Sequence, residues 1–444
     1  MKTIFDESSP ILKLLPKQSA ESFQGGRAAR FILREPVREG VLCYNALLKI
    51  LVLLSPEEDL AFRTADRTAL SYDYFVSRYF FVPETFDELK TIDEVRSVLR
   101  LLQPKKPLHR FTILPTTDCN ARCFYCFEAG CKREDMSMET AEKVAAFILK
   151  ASKDTEAKLH WFGGEPLFRS EVIDRITGIL RAADKEFTSD IVTNGYLFNE
   201  ETVEKAVRDW HLQRAQITLD GTESVYNRRK AYIYKTGNPY EIVLKNAIHA
   251  ARSGISIEIR LNVDEKNRDD LLDLIGELKM RLKDVPNVTV YSKMLYGEYE
   301  NPRAYEAYYE VRSALEKAGI GRGAGIPRRI FPNRCMGDTT EAVVILPDGF
   351  LNSCEHFNEA GPSWGTLDDP SGLKKAVSEW SAVYPKTAQC LECARMVDCI
   401  RLKSCPVVAE HCSPLEREQR NREMHEGMRS EYERFLKAER NQAE

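Results

Sequence analysis

Cys119, Cys123 and Cys126 stand in the run Thr116-Thr117-Asp118-Cys119-Asn120-Ala121-Arg122-Cys123-Phe124-Tyr125-Cys126, a Cys-x3-Cys-x2-Cys spacing just beyond a short apolar stretch. Three soft thiolates on one tight loop can hold three corners of a four-iron cluster, and the missing fourth leaves one iron open to a small molecule. A zinc site or a redox pair uses the same residue type, although a zinc knuckle more often joins one Cys-x2-Cys to another. Farther on, Phe162-Gly163-Gly164-Glu165-Pro166 ends an apolar run. Its glycines let the chain turn sharply and expose carbonyls, and the proline fixes the exit. Carbonyls beside a carboxylate suit an ammonium group. Thr193-Asn194-Gly195 and Thr218-Leu219-Asp220-Gly221 put small polar side chains where strands open onto loops. Asn227-Arg228-Arg229 offers a guanidinium able to grip a carboxylate in bidentate fashion, against the plainer reading of a solvated pair. Arg260, Asn262 and Asp264 follow, the first two on one face of a strand.

Twelve cysteines require an account, and seven of them crowd the far end: Cys335, Cys354, Cys390, Cys393, Cys399, Cys405 and Cys412. Cys335 and Cys354 bracket a hairpin expected to turn at Pro347-Asp348-Gly349, and Cys390-x2-Cys393-x5-Cys399 is a compact ligand loop. A disulfide framework suits short secreted chains, and no export signal precedes these thiols. Metal or iron–sulfur ligation in a reducing, cytoplasmic compartment is therefore expected, with two zinc sites as the competing use of the same ligands. Lone Cys43 lies in an apolar run and reads as a buried small hydrophobe. Cys131 reads as structural, because a fourth thiolate would close the open iron. His160 and His356 read as local hydrogen-bonding residues.

These groups need a scaffold. A chain of 444 residues, 43% of them apolar, is long enough for two or three domains. Its formal net charge of −4 gives no reason to expect a nucleic-acid partner. No apolar run approaches the ~18 residues that would suggest a membrane span. Before about residue 105, Phe31–Leu33, Val41–Asn45 and the leucines 48, 51 and 53 read as short strands, followed by a helix over Glu88–Leu101 with Leu89, Ile92, Val95 and Leu99 on one face. Pro104-Lys105-Lys106-Pro107 marks a boundary. Beyond it, strands at Arg110–Leu114, Lys158–Phe162, Ser189–Thr193, Ala215–Leu219, Ser256–Asn262 and Val288–Ser292 alternate with amphipathic helices, the content of a partial (β/α)6 barrel in the α/β class. Every polar motif falls at the C-terminal end of a strand, where such folds keep their sites. From Pro414 onward, Met424, Met428, Tyr432 and Phe435 stripe a charged helix expected to pack on the cysteine-rich region.

The three-cysteine loop, with an aromatic residue before its last cysteine, resembles that of radical S-adenosylmethionine (SAM) enzymes, and the distal cysteines resemble their C-terminal SPASM auxiliary-cluster domain. The resemblance implies a small N-terminal α+β domain over 1–104, similar to a winged-helix-like leader-peptide recognition module, a radical SAM partial barrel over 105–325, a SPASM domain over 326–413 and a C-terminal helix over 414–444. It implies SAM and three 4Fe–4S clusters as cofactors. Cys119, Cys123 and Cys126 would hold the catalytic cluster. Phe162, Gly163, Gly164 and Glu165 would hold the SAM amino group, with Thr193, Thr218, Asp220, Arg229 and Arg260 as further contacts. Cys390, Cys393, Cys399 and Cys412 would bind the outer auxiliary cluster, and Cys335, Cys354 and Cys405 the inner. The longer Cys399-x5-Cys405 gap leaves open which auxiliary cluster takes Cys405 and Cys412. The implied activity is a peptide maturase that abstracts hydrogen from a ribosomally made precursor bearing a leader and forms an intrapeptide thioether or carbon–carbon crosslink. It would draw electrons from a flavodoxin- or ferredoxin-type donor. A sulfatase-type maturase making formylglycine, with Asp264 or Asp338 as its base, is the second expectation. A non-catalytic electron-transfer protein would leave the Gly-Gly-Glu-Pro turn idle.

Overall fold

The computed structural model describes residues 1–104, 106–234, 237–321, 324–331, 335–356, 364–373, 388–399 and 412–443. The chain begins with an antiparallel sheet of β1 (Lys2–Asp6), β3 (Ile32–Val37), β4 (Gly40–Asn45) and β5 (Ile50–Leu54) in the order β1-β5-β4-β3, while β2 (Arg27–Ala28) pairs with β6 (Phe81–Val82). Short helices α1 (Ser9–Leu12), α2 (Pro56–Thr64) and α3 (Tyr72–Ser77) precede α4 (Glu88–Leu102). The start of α2 is written in Ser-Pro-Glu-Glu: Ser55 Oγ accepts from the Glu58 amide, the Glu58 carboxylate accepts from the Ser55 amide, and Pro56 occupies the first turn. Leu42, Cys43, Tyr44, Leu51 and Val52 are all fully buried, so β4 and β5 are covered on both faces and show no alternation. Cys43 is thus the small core residue expected, its thiol held protonated by burial.

The larger sheet takes the order β12-β11-β10-β9-β8-β7-β13-β14-β15. Its parallel part comprises β7 (Arg110–Ile113), β8 (Ala157–Trp161), β9 (Phe187–Thr193), β10 (Leu212–Thr218), β11 (Ser256–Val263) and β12 (Val288–Met294). Between and after these strands run α5 (Met138–Ala151), α6 (Ser170–Ala182), α7 (Glu200–Arg208), α8 (Glu223–Lys230), α9 (Pro239–Arg252), α10 (Arg268–Arg281) and α11 (Pro302–Ala318). The six strands and their crossover helices lie where the apolar periodicity places them, and α8 is an addition. Alternation assigns the faces: on β9, Phe187, Ser189, Ile191 and Thr193 are buried, whereas Thr188, Asp190 and Val192 are half-buried on the other side. The expected distal hairpin forms as β13 (Ala342–Ile345) and β14 (Phe350–Asn352), with Gly349 in the turn at φ 84°. It is not a separate layer: β13 lies parallel to β7, and β15 (Gly365–Thr366) ends the sheet.

The last helix, α12 (Pro414–Ala443), corrects one expectation. Its apolar stripe does meet Ala394, Met396 and Val397 of the cysteine-rich region, but Met424, Met428 and Tyr432 share that core with β4, β5 and α4 of the N-terminal sheet. Outside the stripe, His425 Nδ1 lies 2.9 Å from Glu35 Oε2 on β3, Arg429 reaches the same carboxylate, and Glu431 pairs with Arg328 at 2.7 Å. A charged helix with a thin apolar stripe can serve two neighbours at once, one along each side of the stripe.

Candidate active site

The loop between β7 and α5 carries the three thiols. Thr116 closes its base: its buried hydroxyl donates to Asp135 Oδ1 at 2.6 Å and accepts from the Asp118 amide at 2.9 Å. Asp118 in turn accepts from the Cys119 amide at 2.8 Å and faces Arg133 at 3.3 Å. The Gly163-Gly164 turn after β8 presses against this loop. The Gly164 amide donates to Thr116 O and the Glu165 amide to Asp118 O, at 3.2 and 2.9 Å. A Cβ on Gly163 would meet Thr116 O at 2.4 Å, and one on Gly164 would meet Asp118 O at 2.2 Å. Close approach of two backbones is therefore a second reason for glycine here, besides the left-handed φ of 107° at Gly163. The carbonyl oxygens of Phe162, Gly163 and Gly164 accept no hydrogen bond among the described residues, which leaves them available to an ammonium group.

Glu165 turns inward. Its carboxylate, fully buried, accepts from Thr193 Oγ1 at 2.7 Å, from the Asn194 amide at 2.7 Å and from the Leu167 amide at 3.1 Å. Burial pushes its pKa up to about 7 against those hydrogen bonds. Glu165 and Thr193 thus brace the second and third strand ends against each other. Asn194 Nδ2 then reaches toward Cys119 Sγ at 3.7 Å and donates to Asn120 Oδ1 at 2.6 Å.

Asp220, also fully buried, is the corresponding hub of the fourth strand end. It takes the hydroxyl of Tyr125 from the cysteine loop, Lys230 Nζ at 3.3 Å and the Asn262 amide at 3.3 Å. Lys230 and Tyr125 are participants that sequence reasoning passed over. Lys230 sits at the end of the Asn227-Arg228-Arg229-Lys230 run, and α8 tucks it inside at 4% exposure. Burial opposes its charge, and Asp220 followed by Cys123 more than restores it. Its backbone carbonyl accepts from the Arg122 amide at 2.9 Å, so the end of α8 also fixes the cysteine loop. Arg229 is engaged by Asp264 at 2.8 Å, both groups buried, with the aromatic rings of Phe124 and Tyr125 about 5.0 and 5.6 Å from its guanidinium. Arg260 Nε donates to Asn262 Oδ1 at 2.8 Å, on the shared face expected of them, and Thr218 stands half-buried at the end of β10.

Burial raises all three thiols of the loop, Cys119 to about 12 and Cys126 to about 11, so without a metal they are protonated. Among the described residues no three His, Cys, Asp or Glu side chains converge as a single metal ion requires. A four-iron cluster takes one thiolate per iron and asks for no such point of convergence. The buried, unpartnered Nδ2 of Asn120 within the loop is a donor of the kind that a group held there would satisfy. Thiols in the right number, open acceptors at the adjacent turn and this spare donor together fit a cluster with a bound amino-acid ligand.

Six of the seven distal cysteines lie among the described residues. Cys354 follows β14, and its sulfur accepts from the His356 amide at 3.4 Å. The His356 ring lies 4.6 Å from Phe127, next to Cys126, and 5.4 Å from Tyr296 beyond β12, while Phe127 stacks on Phe162 at 6.2 Å. Aromatic contacts thus bring the Cys354 segment up to the three-cysteine loop. Cys335 precedes β13 and accepts from the Gly337 amide at 3.5 Å. Cys393, Cys399 and Cys412 lie within electrostatic reach of one another, with Arg420 of α12 beside them. Cys405 lies outside the described residues. Of the two histidines, His160 pairs through Nδ1 with Asp190, as a local hydrogen-bonding residue should.

A parallel sheet with thiols at the end of its first strand and polar hubs at the next three defines the class, and the comparisons agree with it. Residues 113–278 match the Radical SAM superfamily model. Relatives include a probable GTP 3',8-cyclase of Methanocaldococcus jannaschii, 24% identical over 54% of this chain and 77% of its own length. A GTP 3',8-cyclase of Clostridium perfringens is 22% identical over 54% of this chain and 79% of its own. Among solved structures, anSMEcpe with bound AdoMet and Cp18Cys peptide superposes with a TM-score of 0.55 at 16% identity, covering 76% of this chain and 100% of that one. SuiB of Streptococcus suis bound to the precursor peptide SuiA superposes with a TM-score of 0.50 at 14% identity, covering 84% and 94%. Residues 113–278 are thus a radical SAM domain, and a cysteine-rich C-terminal region follows it.

Proposed function

We propose that this enzyme matures a ribosomally made precursor peptide, abstracting hydrogen from one of its residues and closing an intrapeptide thioether or carbon–carbon crosslink. The observation that carries the reading is likeness in fold over 84% of the chain to SuiB, which is described bound to a precursor peptide. In the proposed arrangement Cys119, Cys123 and Cys126 hold three irons of a 4Fe–4S cluster. The carbonyls of Phe162, Gly163 and Gly164 receive the SAM ammonium, and Glu165 with Thr193 keeps that turn rigid. Asp220 and Lys230 fix the loop from the opposite side, while Thr218, Arg229 and Arg260 line the approach for the rest of the cofactor. When bound, the reduced cluster supplies the electron that splits SAM into methionine and a deoxyadenosyl radical. The chain's own task is to orient the sulfonium and exclude water around one substrate carbon.

Two auxiliary 4Fe–4S clusters complete the proposal, the outer on Cys390, Cys393, Cys399 and Cys412, the inner on Cys335, Cys354 and Cys405. Held by those thiols, they would supply an acceptor for the electron released as the new bond closes. The four-part division at residues 104, 325 and 413 assigns leader recognition to the N-terminal sheet, whose edge strand offers backbone donors and acceptors to an added peptide strand. A flavodoxin- or ferredoxin-type protein is the proposed electron donor and the cytoplasm the proposed setting. No helix of the described residues is long and apolar enough to cross a membrane.

Anaerobic reconstitution followed by incubation with SAM and dithionite tests the radical step: deoxyadenosine is expected, and its absence from fully loaded protein would sink the reading. Mass spectrometry of the peptide encoded beside this gene tests the bond. A loss of two hydrogens that survives thiol alkylation and maps between two residues is expected. Formylglycine in that position would favour the sulfatase-type alternative, and an unchanged peptide would remove both.

A further inference from the structure

The residue that follows β11 is a carboxylate already committed on both oxygens. Asp264, 4% exposed, accepts at Oδ1 from the amides of Lys266 and Asn267, at 2.9 and 3.0 Å, and at Oδ2 from Arg229 Nη2 at 2.8 Å. The knot behind it is equally tight. The Asp264 amide donates to Asn267 Oδ1 at 2.9 Å, and Asn267 Nδ2, buried, donates to the carbonyls of Asp220 and Asn262 at 3.0 and 2.9 Å. Asp264 is thereby fixed to the ends of β10 and β11, and Arg229, 7% exposed, is fixed to Asp264. A guanidinium has five N–H donors, of which Arg229 gives one to Asp264. Its Nε is buried and meets no acceptor among the described residues. The rings of Phe124 and Tyr125, between Cys123 and Cys126 in the chain, stand 5.0 and 5.6 Å from its central carbon, so the unspent donors lie beside the cysteine loop. The anion they suit is a carboxylate of a ligand held there.

We propose that Asp264 is a positioning residue for the carboxylate of SAM: it holds the Arg229 guanidinium against the cysteine loop, so that the cation is in place before the cofactor arrives. This rests on the proposed function, which puts the amino-acid end of SAM at that loop with its ammonium on the carbonyls of Phe162, Gly163 and Gly164. Those carbonyls follow β8, Arg229 comes from α8 beyond β10, and the cysteine loop touches both. The two charged groups of one amino acid thus meet partners from different strand ends. An arginine left mobile gives up rotamer freedom when it grips a carboxylate, and one already fixed does not. Asp264 also draws on the same positive charge, which by itself would weaken the grip. Position prevails here, because a buried guanidinium without its counter-ion is costly and turns away toward solvent. So committed, Asp264 is not the base expected of a sulfatase-type maturase.

The test compares SAM with its decarboxylated analogue, which keeps the sulfonium and the ammonium. Both are bound to the anaerobically reconstituted full chain without reductant, so that neither is cleaved. Equilibrium dialysis gives a dissociation constant for each, and the quantity read is the preference for SAM. Asp264→Asn is expected to lower that preference about ten-fold, the worth of one hydrogen bond between charged groups, and to bring it near that of Arg229→Met. In the double variant it falls no further. A loosened fold would weaken both ligands alike and leave the preference at the parent value. That result in either single variant, or a preference that rises in Asp264→Asn, overturns the inference and leaves the proposed function standing. A parent that binds neither ligand removes the proposed function and this inference with it. If Asp264→Asn does not load iron, Asp264→Thr, which keeps an oxygen for the Lys266 and Asn267 amides, takes its place with the same readings. Failure of both to load iron would assign Asp264 to holding the loop and overturn the inference.

Discussion

Gly164 and Lys230 hold the cysteine loop from two sides, and each makes a separate prediction. Alanine at Gly164 would bring a Cβ within 2.2 Å of Asp118 O, a backbone atom that cannot swing aside as a side chain would. Forcing the two backbones apart should cost about 1–3 kcal/mol. Urea denaturation of the metal-free protein reads that loss, and reconstituted Gly164→Ala should retain less iron than the parent; unchanged stability and iron would contradict the packing argument. Lys230→Met leaves the fully buried Asp220 without its cation, a loss of about 3–5 kcal/mol for one-sided removal of a buried pair. Adding Asp220→Asn to that variant should recover part of it, because the stranded charge is gone. Strict additivity in the double-mutant cycle would mean that the two groups do not interact.

Elements were legible in proportion to how local their causes are. The six parallel strands and their helices appear within a few residues of their expected limits because apolar periodicity and caps such as Ser137 and Asn199 are written in the segment itself. The three-cysteine loop and the Gly-Gly-Glu turn were legible for the same reason. What the chain does at a distance was not. Nothing local pairs β13 with β7, since parallel partners are chosen by the sheet and not by a turn. Lys230 carries no local sign that it lies inside, because charge is the usual mark of a surface and only tertiary contacts bury it. The same gap hid the double duty of α12, and there a prediction follows. Met428 is fully buried among residues of both the N-terminal sheet and the 394–397 segment. Met428→Ala should cost about 2–5 kcal/mol and should speed amide exchange in β3, β4 and β5. Faster exchange confined to 388–399, with the sheet unaffected, would mean that α12 serves the cysteine-rich region alone.

Across the whole molecule, one row of charges ties the parallel sheet to the distal cysteines and gives stability a pH signature. His160 on β8, Asp190 on β9 and Arg214 on β10 are register neighbours, Arg214 meets Asp190 at 2.7 Å and Glu258 on β11 at 3.6 Å, and Glu355, next to Cys354, lies 3.9 Å from His160 Nε2. Burial works against a charged His160, but the hydrogen bond and charge of Asp190, helped by Glu355, raise its pKa above the ordinary value despite Arg214. Burial likewise works against a charged Asp190, and its hydrogen bond to His160 outweighs that and lowers its pKa. For the histidine, the folded state binds the proton more tightly than the unfolded, so its contribution is complete below the unfolded pKa of about 6.5 and disappears as pH rises through the higher folded value. The aspartate's contribution is complete above about pH 3.9 and disappears as pH falls through its lower folded value. Both are present together in mildly acidic solution. The stability difference between the parent and His160→Asn, measured by urea denaturation across the pH range, should therefore be largest near pH 5–6 and shrink toward alkaline pH. A difference that grows with rising pH would mean that His160 is held neutral in the fold, and the row would then join the sheet to the Cys354 segment by hydrogen bonds without charge.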